Sequence, residues 1–165
     1  MSESASKRAP GWARAGYTIS TDPALLDVAK IHRYLSEQSY WAQGITRELV
    51  ERSIKNSLCF GVYSDVPAPP QLVGFARAVT DYATFAYMAD VFILPGYQGQ
   101  GLGKWLVVAM LEYPELQSLR RWTLRTEDAR DLYRRFGFDT EKEPQKYMSY
   151  RPQQSNSAPP DFERR

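Results

Sequence analysis

The sequence predicts an α/β domain, and three stretches carry that prediction. Met88 to Leu94 is a β-branched and aromatic run with the character of a strand, and it leads into Pro95-Gly-Tyr-Gln-Gly-Gln-Gly-Leu-Gly-Lys104. Out of that glycine-rich turn, Leu102, Trp105, Leu106 and Ala109 recur at i, i+3, i+4 and i+7, which is one face of a helix starting near Gly101. Later, strand-like Arg121-Trp-Thr-Leu-Arg125 precedes a second helical face made of Ala129, Leu132, Tyr133 and Phe136. Gly137 follows that face and suits the left-handed C′ position, while Asp128 is a good N-cap with Asp131 in the first turn.

The remaining elements follow in order. Residues 1–14 are expected to form a disordered tail, residues 15–150 the domain, and residues 151–165, with Pro152, Pro159 and Pro160, a second disordered tail. Tyr17-Thr-Ile-Ser is a short first strand. Thr21 or Asp22 can cap a helix with Pro23 in its first turn, and Leu25, Leu26, Ala29, Ile31 and Leu35 supply its apolar stripe as far as about Gln38. Ser39-Tyr-Trp-Ala-Gln-Gly44 is a loop, and Thr46 opens a second helix through Leu49, Val50 and Ile54. Leu58 to Tyr63 and Leu72 to Thr80 are strands flanking a proline-rich hairpin loop, and Phe85 to Leu94 completes the meander. Pro114 stops helical propagation after the glycine turn's helix. Phe138-Asp-Thr and Lys146 to Tyr150 are expected to form a final strand pair.

Length and composition narrow the function classes. The 165 residues suffice for one domain with a substantial core, at 43% hydrophobic and 13% aromatic content. No apolar run reaches transmembrane length, and Met1 to Arg14 is too polar for a signal-peptide core, so a cytoplasmic protein without a membrane partner is expected. The single cysteine, Cys59, excludes an internal disulfide and a cysteine-based metal cage, and no metal site is expected. Cys59 lies in an apolar strand and reads as a small buried hydrophobe rather than a nucleophile. The net charge of +2 divides into +2 for residues 1–14 and +1 for residues 151–165, leaving the body between them near −1. A nucleic-acid binder concentrates basic residues on its folded surface, so that class is set aside. His32 lies inside a helix and, with no second histidine and no Gly-x-Ser-x-Gly, gives no serine triad.

The glycine turn is a candidate anion cradle, because backbone N–H groups at a helix N-terminus converge and carry partial positive charge. Its spacing excludes two phosphate motifs. A Walker A loop needs Gly where Gln98 stands and Ser or Thr where Trp105 stands. A dinucleotide fingerprint starting at Gly99 needs its third Gly where Lys104 stands. Gln98-Gly-Gln-Gly-Leu-Gly103 instead resembles the Gln/Arg-x-x-Gly-x-Gly/Ala motif of the GNAT superfamily of acyl-CoA-dependent N-acetyltransferases. The preceding Val91 to Tyr97 is similar to that family's strand and lead-in. Glu127-Asp-Ala-Arg-Asp-Leu-Tyr-Arg-Arg-Phe-Gly-Phe138 resembles its Asn-x-x-Ala-x-x-Leu-Tyr-x-x-x-Gly-Phe block. The resemblance runs from about Ala15 to Tyr150, with its specific motifs between residues 91 and 138.

The resemblance implies a mixed, largely antiparallel sheet of six to seven strands with helices on both faces. It also implies two parallel strands that splay apart to admit pantetheine. Acetyl-CoA is then the co-substrate: backbone groups of Val91, Phe92 and Ile93 receive the thioester arm, and Gln98, Gly99, Gln100, Gly101, Leu102, Gly103 and Lys104 hold the diphosphate. Lys104 is either a charge-assisted phosphate contact or an exposed first-turn lysine. Thr126, Glu127 and Asp128 stand where the family commonly carries Asn, and Asp128 takes a cofactor-facing role. Tyr133 matches the family's general acid, and a phenol with a pKa of about 10 can protonate a departing thiolate at neutral pH; packing on its apolar face is the other reading. Asp90 and Glu37 are candidate general bases, each equally readable as a solvated or paired carboxylate. Tyr34, Tyr40, Trp41, Tyr82 and Phe85, together with Tyr87, fall in segments expected at the acceptor mouth, where aromatics hold cations or stack, or simply pack. The expected activity is acetyl transfer by direct attack from acetyl-CoA to a primary amine of a small molecule or peptide. The rival is a non-catalytic acyl-CoA-binding or interaction module on the same fold. A second copy of the chain, as a homodimer, stays open as a partner.

If the turn holds the diphosphate, acetyl-CoA raises the melting temperature, with a linkage term of about 2.7 kcal/mol at a hundredfold excess over Kd, and ATP and NAD do so much less. Gly101→Glu places a carboxylate where phosphate belongs and is expected to abolish the shift. Thermal unfolding with each ligand checks this, and equal stabilisation by ATP counts against the site.

Overall fold

The computed structural model describes residues 12–152. Residues 1–11 and 153–165, which make up most of the two expected tails, lie outside the described residues. Six strands form one sheet: β1 (Trp12–Arg14), β2 (Tyr17–Ser20), β3 (Leu58–Ser64), β4 (Gln71–Thr80), β5 (Phe85–Ile93) and β6 (Arg121–Thr123). They lie in sequence order, antiparallel throughout except for the parallel pair β5–β6. Four helices accompany them: α1 (Val28–Glu37), α2 (Arg47–Lys55), α3 (Leu102–Leu111) and α4 (Arg130–Arg134).

Alternation along the strands divides the core between the two faces of the sheet. Cys59 and Tyr63 of β3 and Phe75 of β4 join Ile31 and Leu35 of α1 and Val50 of α2 on one face. Phe60 and Val62 of β3 join Leu102, Leu106, Ala109 and Met110 of α3 on the other. The family-like expectation of a mixed sheet with helices on both faces is met with six strands. Strands buried on both faces have no polar side to alternate with, which is why β3 is buried along its whole length.

The pairing of β4 with β5 contains one irregularity. Arg77 lies opposite Ala89, whereas Phe75 lies opposite Phe92, so β5 places one extra residue across from β4. This is a β-bulge, and within it Asp90 adopts a φ of 53°. Beyond it β5 runs on to Ile93, while its pairing with β6 ends at Tyr87 opposite Thr123. The edge of β5 from Met88 onward is therefore left without a strand partner on the β6 side.

Several local expectations are corrected. Trp12–Arg14, placed in the N-terminal tail by its polar surroundings, is the sheet's edge strand, with Trp12 packed on Phe60 and Tyr113. The first helix is interrupted. Asp22 caps a 3-10 turn at Pro23–Leu25, Leu26 is extended, and Asp27 starts α1 afresh by accepting from the Lys30 N–H at 3.0 Å. The final strand pair does not form among the described residues: Pro144–Lys146 is a 3-10 turn, and Met148 is 97% exposed. Phe138-Asp-Thr has a single large apolar residue, and Pro144 has no N–H for a ladder. At α4 the N-cap is Ala129 rather than Asp128, and its N–H donates to Thr126 Oγ1 at 3.0 Å. Gly137 closes α4 at a φ of 88°, as its C′ position requires.

Gly74 lies beneath the bulge, and a Cβ there would fall 2.5 Å from Ile93 Cδ1 and 3.1 Å from the Phe92 carbonyl oxygen. Gly74→Ala is expected to cost about 1–3 kcal/mol through overpacking. In urea unfolding, the midpoint falls while the m-value holds.

Candidate functional site

Between β5 and α3 the chain turns through Gly99 and Gly101 at φ of 79° and 80°, a region that favours residues without a Cβ. Side chains brace the turn from behind. Gln98 Nε2 donates to the Ile93 carbonyl at 2.9 Å, and Tyr17 Oη donates to Gln100 Oε1 at 3.0 Å. No side chain caps α3 at Gly101. Among the described residues, none of the N–H groups from Gln98 to Lys104 donates to a backbone acceptor. These donors are the unpaired first turn of a helix that is nearly all apolar, so an anion is the partner their chemistry suits.

A cation joins them. A Cβ on Gly101 would stand 3.8 Å from both terminal nitrogens of Arg14, which reaches over from β1. Lys104 is exposed in the first turn of α3 and has no ion-pair partner among the described residues. Arg14 escaped notice in the sequence because it was assigned to the tail. The open space at Gly99 and the nearby guanidinium suit the turn to an anion such as a phosphate group.

Tyr133 lies on the buried face of α4, in the core cluster on the α3 side of the sheet. It is 8% exposed and packs edge-on against Phe138 at 5.8 Å. Its hydroxyl has no hydrogen-bond partner among the described residues. Burial, reinforced by Tyr40 and the Asp128 carboxylate, pushes its pKa up to about 12.

The loop after α1 closes the gap from the other face. Ser39 Oγ donates to the Leu35 carbonyl at 2.6 Å, Gly44 N–H to the Ser36 carbonyl at 2.9 Å, and His32 Nε2 contacts the Ile45 carbonyl at 3.0 Å. His32 thus anchors the loop to α1, the structural role expected of it. Held in this way, Tyr40 accepts from the Glu127 N–H at 3.1 Å and donates to Asp128 at 3.4 Å. Trp41 Nε1 donates to Asp90 Oδ1 at 3.0 Å. Tyr34 stacks on Phe92 at 3.9 Å, and its pKa is raised by burial and by Asp128. On this side a concavity of about 330 Å³ is lined by Lys30, Arg33, Tyr34, Gln38, Leu94 and Pro95.

The structure therefore gathers Asp90, Tyr34, Tyr40, Trp41, Asp128 and Tyr133 around the end of β5. Tyr82 and Phe85 are not gathered there. They lie at the opposite end of β5, where Phe85 is still paired with Arg121 of β6, because the hairpin register sets them a strand length from the bulge. Glu37 is exposed as the last residue of α1 and has no hydrogen bond or ion pair among the described residues. Asp90 is not a free carboxylate, since Arg77 Nε donates to it at 2.5 Å. Arg77 was missed in the sequence, although a lone cation inside the apolar run Val73 to Val79 is a readable signal. Cys59 is buried, and burial pushes its thiol up to about 12, which keeps it unreactive.

Comparison with known proteins adds relatives to this geometry. A family model described as the acetyltransferase (GNAT) domain matches residues 55–140. A protein from Gibberella zeae described as an acetyltransferase is 35% identical over 140 residues, covering 74% of this chain and 78% of its own. Two longer soybean relatives, 37% identical over 83 residues, are spanned over only 36% and 34% of their length. A crystal structure from Xanthomonas campestris pv. campestris, described as a GNAT-family acetyltransferase, is 45% identical with a TM-score of 0.79, over 84% of this chain and 95% of its own. N-acetylglutamate synthase from Neisseria gonorrhoeae, complexed with coenzyme A and N-acetyl-glutamate, shares the fold at 21% identity. Its TM-score is 0.59, over 79% of this chain and 30% of its own.

Arg14→Gln is expected to weaken CoA binding about two- to fivefold at low salt, the range for an exposed ion pair, with the difference shrinking as salt rises. Titration calorimetry at two ionic strengths checks it, and a salt-independent loss would assign Arg14 to packing.

Proposed function

The chain belongs to the GNAT family of acetyltransferases, and from that membership we propose that it moves an acetyl group from acetyl-CoA to a primary amine of a small molecule or peptide by direct attack. One observation carries the reading. Where β5 runs on past the end of its pairing with β6, it leaves an unpaired strand edge, a glycine turn with free N–H donors follows that edge, and Tyr133, a largely buried side chain whose hydroxyl has no hydrogen-bond partner among the described residues, lies in the core on the α3 side of the sheet.

Acetyl-CoA, when bound, supplies an acyl group already activated as a thioester. The chain's own residues do the rest. N–H groups from Gln98 to Lys104 hold the diphosphate, and Arg14 and Lys104 add positive charge beside it. The edge of β5 from Val91 to Ile93 offers backbone groups to the thioester arm and to the oxygen on which negative charge develops. Tyr133 Oη holds the proton delivered to the departing thiolate, and its raised pKa keeps that proton in place across the working pH range. Asp90 is engaged by Arg77 and Trp41, so the amine proton leaves to solvent rather than to Asp90. Trp41, Tyr40 and Tyr34 wall the side from which the acceptor enters, and the neighbouring concavity with Lys30 and Arg33 receives the remainder of the acceptor.

A thiol-release screen over a panel of amines tests the activity, and acetyl-CoA binding without release for any amine would identify a non-catalytic binding module instead. Tyr133→Phe keeps the ring against Phe138, so CoA affinity is expected to hold while kcat falls by about 10²- to 10⁴-fold. Because burial raises the folded pKa of Tyr133 from 10.0 to about 12, loss of this proton is expected to leave kcat unaffected at pH 10. A Tyr133-dependent fall in kcat near pH 10, the usual phenol range, would refute the buried-acid assignment.

A further inference from the structure

The bulge in β5 is held by an ion pair that the transfer chemistry does not use. Arg77, in the middle of β4, donates through Nε to Asp90 Oδ2 at 2.5 Å, and the two side chains are only 19% and 10% exposed. Arg77 Nη1 also donates to Ser57 Oγ at 3.2 Å, and Ser57 donates to the Ser53 carbonyl of α2 at 2.7 Å. The second oxygen of Asp90 accepts from Trp41 Nε1. Tyr40, next in the chain, accepts from the Glu127 N–H ahead of α4. These polar contacts, together with the chain step and edge-on ring contact between Trp41 and Tyr40, join α2, β4, the bulge and the loops on either side of the gap.

This set acts at the one point where β5 is free to change. Asp90 has a left-handed φ of 53°, which aspartate tolerates better than most residues but which needs support from its surroundings. A bulge can also migrate along its strand, and a one-residue slip turns every following side chain to the other face. Phe92, buried against Phe75 and Tyr34, opposes such a slip on the apolar side. On the polar side, Arg77 reaches Asp90 with the bulge where it is, and a slip of one residue would turn the Asp90 side chain to the other face.

We propose that Arg77 and Asp90 are positioning residues: their ion pair, with Trp41 as a second donor to Asp90, fixes the bulge so that backbone donors of Val91 to Ile93 face the acyl carbonyl oxygen. The proposal rests on reading the gap as the acyl-CoA site. It gives Asp90 a role other than general base and predicts that the network governs the preference for acetyl-CoA over CoA, which lacks the acetyl group and with it that carbonyl.

Titration calorimetry with acetyl-CoA and with CoA tests it on the wild type, Asp90→Asn, Arg77→Met and the double variant. Asparagine keeps tolerance for the left-handed conformation and an oxygen for Trp41, while removing the charge. The double variant leaves no buried charge unpaired and is expected to fold even where Arg77→Met alone does not. The wild type is expected to bind acetyl-CoA about three- to tenfold more tightly than CoA, the range for one hydrogen bond. The variants lose that preference while their CoA affinity stays within about twofold of wild type, and thermal stability recovers in the double variant without restoring the preference. A double variant that keeps the preference, or one that weakens CoA and acetyl-CoA equally, would overturn the proposal. So would an Asp90→Asn protein that keeps the preference but loses turnover, since Asp90 would then be the base. A wild type that binds neither ligand removes the acyl-CoA reading itself, and this proposal with it. A wild type that binds both equally yet still releases thiol removes only this proposal.

Discussion

β5 and β6 are the one parallel pair in the sheet, and their register ends at Tyr87 opposite Thr123 while β5 continues to Ile93. The rest of the site depends on that separation. Parallel neighbours need a crossover, and here the crossover is α3, entered through the glycine turn at the end of β5. The separation leaves a row of unpaired backbone groups in the sheet, a liability in an ordinary edge strand. In this chain the loop carrying Tyr40 and Trp41 lies against that row, Trp41 donating to Asp90 of β5 and Tyr40 accepting from the Glu127 N–H ahead of α4.

Two kinds of polar group meet in the gap, and burial treats them differently. The N–H donors of the glycine turn are at the surface and ready for an anion, with Arg14 close by. The Tyr133 ring is buried, and desolvation holds the phenol proton more firmly than in water. The anion affinity of the turn therefore responds to salt and surface charge, whereas the ionisation of Tyr133 responds to its apolar packing against Phe138. A substitution can in principle affect one function while sparing the other.

The bulge links the two core clusters. Phe92 belongs to the cluster under α1 and α2, and Ile93 to the cluster under α3, so the residue pair just past Asp90 is buried on opposite faces. Small residues make room for this: Gly74 lies so close to Ile93 and Phe92 that no Cβ fits without displacement. Stability of the meander and geometry of the gap are thus set by the same few side chains.

The class of the fold, the three strands of the meander, the helix after the glycine turn and the apolar face carrying Tyr133 were all legible in the sequence. Each depends on periodicity or on turn chemistry within a short window, where the physical cause lies among near neighbours. The glycine spacing likewise declared a helix N-terminus suited to an anion. What only the tertiary structure decided involves residues distant in the chain. Arg14 meets Gly101 because a three-residue edge strand folds back over the turn. Asp90, readable from sequence as a base, is occupied by Arg77 and Trp41, 13 and 49 residues away. Phe85 and Tyr82 looked like neighbours of the acceptor until the register of β5 placed them at its closed end. Local pattern specifies which element a residue occupies, but which groups meet across the sheet is set by strand register and by the bulge, and those depend on packing of the whole core.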